Sequence, residues 1–183
     1  IYRSVPFVLD PALEGITNWF ALDPRTIDTT NMYFNTAQNN KSQLKIVFET
    51  LVDPASYPLM EHCTGGKDRG GTTAALILML LDVPKDTIVR DYLMTCQVNN
   101  LQATIAAFTA GLEYYKDIVP EGVTINDWLP LLGCSQLAIE TLIDRINSDY
   151  GGIDKFLQSI GISTQQQRAI AANLLIEPIC TED

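Results

Sequence analysis

Residues 59–82 read LMEHCTGGKDRGGTTAALILMLLD. The segment opens on Leu59 and Met60, then turns polar and glycine-rich. It holds the chain's single histidine, His62, directly before Cys63, with Lys67, Asp68 and Arg69 close behind. From Ala74 to Leu81 runs the longest apolar stretch in the chain. With Tyr57 and Pro58 in front, the pattern predicts a short strand over 57–63, a glycine turn, and a helix apolar on every face. A helix of that kind belongs inside a domain, surrounded by other elements. The first 61 residues hold one βαβ-sized unit, and the expectation is an α/β fold, a parallel sheet flanked by helices with a mostly helical C-terminal half.

Outward from it, Tyr2 to Leu9 is β-branched and apolar enough for a second strand. Asp10-Pro11 opens a helical stretch through about Leu22, and residues 23–40, rich in Asn, Thr and Asp, read as loop. Leu44, Val47, Phe48 and Leu51 fall at helical spacing and predict an amphipathic helix over Ser42–Val52. Everything beyond the glycine turn reads as helix: Lys85–Cys96, Leu101–Tyr115, Ser135–Ser148, Asp154–Ile160 and Thr164–Leu175. Gly151-Gly152 and Gly161 punctuate the breaks. Two strands alone do not make a stable sheet, so the expectation is that further strands precede Ile1. Residues 1–183 would then be one catalytic domain lacking its N-terminal part.

The bulk composition excludes several classes. A net charge of −10, with no basic run interleaved with aromatics, makes nucleic acid and anionic membrane surfaces poor partners. No segment approaches the ~18 apolar residues of a membrane span. The cysteines Cys63, Cys96, Cys134 and Cys180 form no C-x-x-C pair, and one histidine supplies zinc ligands poorly. Few and scattered in a chain this size, they predict no disulfide framework. Cys96, Cys134 and Cys180 read as ordinary intracellular thiols in the core or at the surface, which places the protein in the cytoplasm. Oligomeric state is left open.

The chemistry concentrates in the turn. A strand, a glycine-rich turn and a helix start make a nest of backbone N–H groups that favours an anion. The same field favours a thiolate at Cys63. Arg69, six residues on, can grip two phosphate oxygens with its fork. The chance of His, Cys and Arg falling at these offsets is on the order of one in a thousand. The rival G-x-x-x-x-G-K-[ST] loop fails, because Glu61 stands at its first glycine and Asp68 at its Ser/Thr.

HCTGGKDRGG resembles the H-C-x-x-G-K-D-R-T-G loop of the cysteine-dependent tyrosine phosphatases. More narrowly, it resembles the atypical bacterial and fungal branch that acts on phosphotyrosine and often on phosphoinositides. TIVRDYL (Thr87–Leu93) resembles that branch's I-x-x-D-Y-L segment, and DYGGIDKFLQSIGIS (Asp149–Ser163) its tail. The likeness runs from about Lys41 to Ile176.

The resemblance implies Cys63 as nucleophile, Arg69 as phosphate clamp and Asp68 as general acid, with no metal or cofactor. If Asp68 only braces the loop, Asp10, Asp23 or Asp28 would have to supply the acid. Thr64, Gly65, Gly66 and Gly70 would line the phosphate cradle. Lys67 would lie at the pocket mouth, suited to further phosphates on an inositol ring. His62 would face inward and shape the loop, and Asp91 with Tyr92 would brace it from the helix behind.

Two positions depart from the family. Gly70 stands where a Ser or Thr hydroxyl helps the thiolate leave in the second step, with Thr72 or Thr73 as replacements. Glu61 occupies a usually apolar position, where a carboxylate opposes a nearby thiolate. Three readings follow, in order. The first is a phosphomonoesterase acting on phosphorylated proteins or phosphoinositides, with slowed phosphoenzyme breakdown. The second is a pseudophosphatase that binds phosphorylated ligands. The third is a helical interaction domain, which leaves the loop unexplained.

Overall fold

A computed structural model describes residues 3–8 and 18–175. In chain order its helices are α1 (Met32–Asn39), α2 (Lys41–Val52), α3 (Arg69–Leu80), α4 (Lys85–Val98), α5 (Leu101–Tyr114), α6 (Ile125–Leu132), α7 (Gln136–Tyr150), α8 (Ile153–Ser159) and α9 (Thr164–Leu174). Among the described residues there is no strand, so the expected parallel sheet is overturned and the architecture is helical.

The reason is visible at both candidate strands. A strand needs a partner for its backbone donors and acceptors. At Val8 that partner is a side chain. The Val8 N–H donates to Asn40 Oδ1 (2.7 Å), and Asn40 Nδ2 donates back to the Val8 carbonyl (2.5 Å). Residues 3–8 are therefore irregular, and the ends of that expected strand lie outside the described residues. The 57–63 segment is also irregular, with Leu59 and Met60 exposed. Most of the helix expected over 10–22 falls outside the described residues, and Trp19–Ala21 is a single 3-10 turn.

Helix α7 is the hub. Ala138, Ile139, Leu142, Ile143 and Ile146 repeat every three or four residues and are buried, facing α1, α3, α4 and α8. Each large side chain there contributes about 1.5–3 kcal/mol by leaving water. Ser135 caps the start of the helix by accepting from Ala138 N–H, and Gly151, at φ 78, closes it in the left-handed conformation. Helix α9 opens with a reciprocal Ser163–Gln166 capping box and packs on α2.

Two helices escaped the sequence reading. Helix α1 arises from a stretch read as loop, because Tyr33, Phe34 and Ala37 bury against the core and outweigh the weak propensity of its asparagines. Helix α6 starts at a Thr124–Asp127 capping box and buries Trp128. Helix α3 is buried over Thr72, Thr73, Ala75, Leu76 and Met79, as expected, but stays half-exposed at Gly71, Ala74 and Leu78.

Candidate active site

The loop from His62 to Arg69 enters α3, and three other helices and their ends brace it. From α1, the buried Tyr33 donates its hydroxyl to Asp68 Oδ1 at 3.0 Å. From α4, the Tyr92 hydroxyl hydrogen-bonds the Tyr33 oxygen. Since Tyr33 spends its only proton on Asp68, Tyr92 is the donor in that pair. Just past α4, Asn99 Nδ2 donates to the Gly65 carbonyl (3.1 Å). From the end of α6, the carbonyls of Leu131 and Gly133 both accept from Lys67 Nζ, the latter at 3.0 Å. Gly71 lets the start of α3 lie against Tyr92, whose ring would be 3.0 Å from any Cβ at that position. Gly66, at φ 69, supplies the left-handed turn.

These contacts aim the charged groups. Lys67 Nζ also pairs with Asp68 Oδ1 at 3.3 Å. Both partners of Asp68 therefore engage Oδ1, and Oδ2 has no partner among the described residues. Arg69 Nη2 donates to Thr64 Oγ1 at 3.0 Å, while the buried Arg69 Nε is without a partner among the described residues. A buried N–H left unpaired costs about 1–3 kcal/mol, and an anion held by the loop would recover it. Burial, with Asp68 next in effect, pushes the Tyr33 hydroxyl pKa far above its ordinary value. Burial likewise raises Tyr92 to about 12. Both phenols are held neutral and serve as donors.

The structure brings Cys63, Thr64, Asp68 and Arg69 together on one turn, with Cys63 half-buried and its thiol free. Thr64, Gly65 and Gly66 are exposed on the loop and Gly70 is buried beneath it. Three residues lie elsewhere than expected. Lys67 is buried on main-chain oxygens instead of standing at the pocket mouth, because two carbonyls and a carboxylate together offset the cost of burying an ammonium. His62 is exposed, and its Nδ1 hydrogen-bonds its neighbour's carbonyl, Cys63 O, at 3.2 Å. Asp91 is exposed and makes no hydrogen bond to the loop among the described residues; Tyr92 alone braces it from α4. Asp23 and Asp28 are engaged locally, by Arg25 and Asn31. Asp10 lies outside the described residues.

The cysteine expectation is also corrected. Cys96 of α4 and Cys134 are joined in a disulfide, with Cα atoms 5.9 Å apart. Helix packing brings together two residues 38 apart in sequence, a proximity their spacing could not show. Cys134 directly follows Gly133, so the bridge pins the turn that holds Lys67. Cys180 lies outside the described residues.

Tyr33, Asn99, Leu131 and Gly133 went unrecognised in the sequence. Tyr33 sits in an Asn-rich run with no motif, and the last two act through main-chain oxygens that any residue carries.

A thiol, an arginine fork and a carboxylate thus converge on one glycine turn at a helix start. The tyrosine phosphatase family model matches residues 22–176, and the chain belongs to that family. Its relatives include a tyrosine-protein phosphatase of Nostoc commune, 29% identical over 74% of this chain and 45% of the relative. Another is a triple specificity protein phosphatase of Mycobacterium tuberculosis, 29% identical over 77% of this chain and 52% of the relative. The chain thus spans about half the length of these curated relatives or less. Among the described residues no helix is long and apolar enough to cross a membrane.

Proposed function

We propose that this chain hydrolyses phosphomonoesters, phosphotyrosine in proteins first, through a cysteinyl-phosphate. The carrying observation is the buried Nε of Arg69, without a partner among the described residues, on the same turn as the free thiol of Cys63. The Cys63 sulfur attacks phosphorus while Arg69 and the loop N–H groups hold the remaining oxygens. Asp68, oriented through Oδ1, presents Oδ2 to the leaving phenolate and gives it a proton. Water then attacks phosphorus, Asp68 takes its proton, and the P–S bond breaks. No step calls on a metal. Phosphotyrosine leads phosphoinositides because Lys67, the cation that would meet extra ring phosphates, is engaged by Leu131 and Gly133.

A rapid-mixing assay with para-nitrophenyl phosphate tests this. An enzyme gives a burst of nitrophenolate that Cys63→Ser abolishes. A folded chain with neither burst nor turnover sinks the proposal. It would favour the second reading, a pseudophosphatase that holds phosphorylated ligands. The specific support for that alternative is Gly70 in the hydroxyl position, with the Glu61 carboxylate lying against it.

A further inference from the structure

Gly70 and Glu61 look like two separate losses in the sequence, but the structure makes them one arrangement. A Cβ built on Gly70 would lie 3.6 Å from Cys63 Sγ, and 3.5 and 3.6 Å from the two Glu61 carboxylate oxygens. The thiol and the carboxylate therefore converge on the point from which a Ser or Thr hydroxyl would project. The Glu61 carboxylate has no hydrogen bond or ion pair among the described residues. It borders a cavity of about 150 Å³ between the loop, α3 and α4.

We propose that the Glu61 carboxyl takes the place of the absent position-70 hydroxyl and hydrogen-bonds the Cys63 sulfur as the phosphoenzyme breaks down. In that step a water oxygen bonds to phosphorus and its proton passes to the Asp68 carboxylate. The P–S electron pair leaves on sulfur, and the neutral Glu61 O–H donates to the thiolate so formed. No proton is consumed at Glu61, which is ready for the next cycle. Only the protonated acid can donate; Glu61 as a whole is exposed, yet desolvation of its carboxyl where it lies against Gly70 holds its pKa above the ordinary value.

The groups around it are few. His62, on the same segment, opposes that rise. From α4, Asp91 and Tyr92 border the same cavity, while α3 offers Gly70, Gly71, Ala74 and Leu78, none of which titrates. Breakdown therefore slows as pH rises and Glu61 ionises against the thiolate.

This inference rests on the phosphatase reading, so the test separates the two. Rapid-quench kinetics with ³²P-labelled aryl phosphate would follow formation and decay of the phosphoenzyme from about pH 4 to 8. Folding of each variant would be checked by circular dichroism. Glu61→Ala should slow decay by about 10- to 100-fold, the worth of one hydrogen bond to a charged group. Glu61→Gln keeps a donor at every pH and should remove the fall in decay rate at higher pH. Gly70→Ser, whose Cβ fits in ordinary contact, should restore decay in the Glu61→Ala background.

Decay with the same pH profile in wild type and Glu61→Gln would overturn the proposal and assign the profile to His62 or Asp68. So would slowing by Thr72→Val but not by Glu61→Ala, since Thr72 Oγ1 is buried without a partner among the described residues. A folded wild type that forms no phosphoenzyme overturns both readings. Phosphoenzyme that forms but ignores Glu61 overturns this one alone.

Discussion

Tyr33 of α1 donates its hydroxyl to Asp68 Oδ1 at 3.0 Å, across 35 residues of chain. That bond, supported from behind by the Tyr92 hydroxyl, engages Oδ1 and leaves Oδ2 without a partner among the described residues. Tyr33→Phe should leave the fold intact, lower thermal stability by about 1–3 kcal/mol, and reduce kcat more than it raises KM. Calorimetry and steady-state kinetics on the same preparation check it; an unchanged kcat would remove Tyr33 from the positioning of Asp68.

The same pair governs behaviour in base. Burial raises the Tyr92 pKa to about 12 in the folded chain and shifts Tyr33 in the same direction. An unfolded tyrosine ionises near ~10. Below that pH both states hold the proton and the stabilisation is fully present. Above it the unfolded state releases protons first, so stability falls as pH rises from about 10 towards 12. Urea unfolding across that range should show the decline in wild type, and a flatter profile in Tyr33→Phe/Tyr92→Phe.

Lys67 separates a structural role from a substrate contact. Lys67→Met strips the carbonyls of Leu131 and Gly133 of their donor and leaves Asp68 without its cation. The expected cost is about 2–4 kcal/mol in chemical denaturation. A variant as stable as wild type, with only KM raised for polyphosphorylated inositol lipids, would return Lys67 to the pocket mouth.

Reduction should act on the same anchor from a distance. Loop-closure arithmetic for a bridge spanning 38 residues gives about 4 kcal/mol, with a usual range of about 2–4. Cys96→Ser/Cys134→Ser, or wild type in excess dithiothreitol, should therefore melt several degrees lower. It should also lose activity in proportion to the freedom gained at Gly133. Melting curves with and without reductant decide this, and superimposable curves would contradict it.

Gly111 of α5 has a packing reason to be glycine. A Cβ there would come within 2.1 Å of the Phe20 ring, which stacks on Tyr115 and tilts against Phe108. Gly111→Ala improves helix propensity by about 1 kcal/mol yet should destabilise by about 1–3 kcal/mol, because the ring must leave its site. A higher melting temperature would mean that Phe20 relocates at no cost.

Local chemistry was open to reading from the residues alone. The spacing of Cys63, Asp68 and Arg69 on a glycine turn needs only neighbours in sequence. So do the apolar periods of α2, α3 and α7, and the breaks at Gly151 and Gly161. Such features rest on interactions three or four residues apart, which any chain segment carries with it.

What only the tertiary structure decided involves partners far apart. An apolar run becomes a strand only if another strand lies beside it. At Val8 the amide of Asn40 takes that place, and among the described residues helices stand where the sheet was expected. Lys67 turns inward because Leu131 and Gly133 present two carbonyls there. Cys96 meets Cys134 because α4 packs on α7. Glu61 reaches the point above Gly70 because the turn folds back on α3. Sequence specified the reactive groups; packing over tens of residues set where each one points, since burial and pairing depend on what arrives opposite.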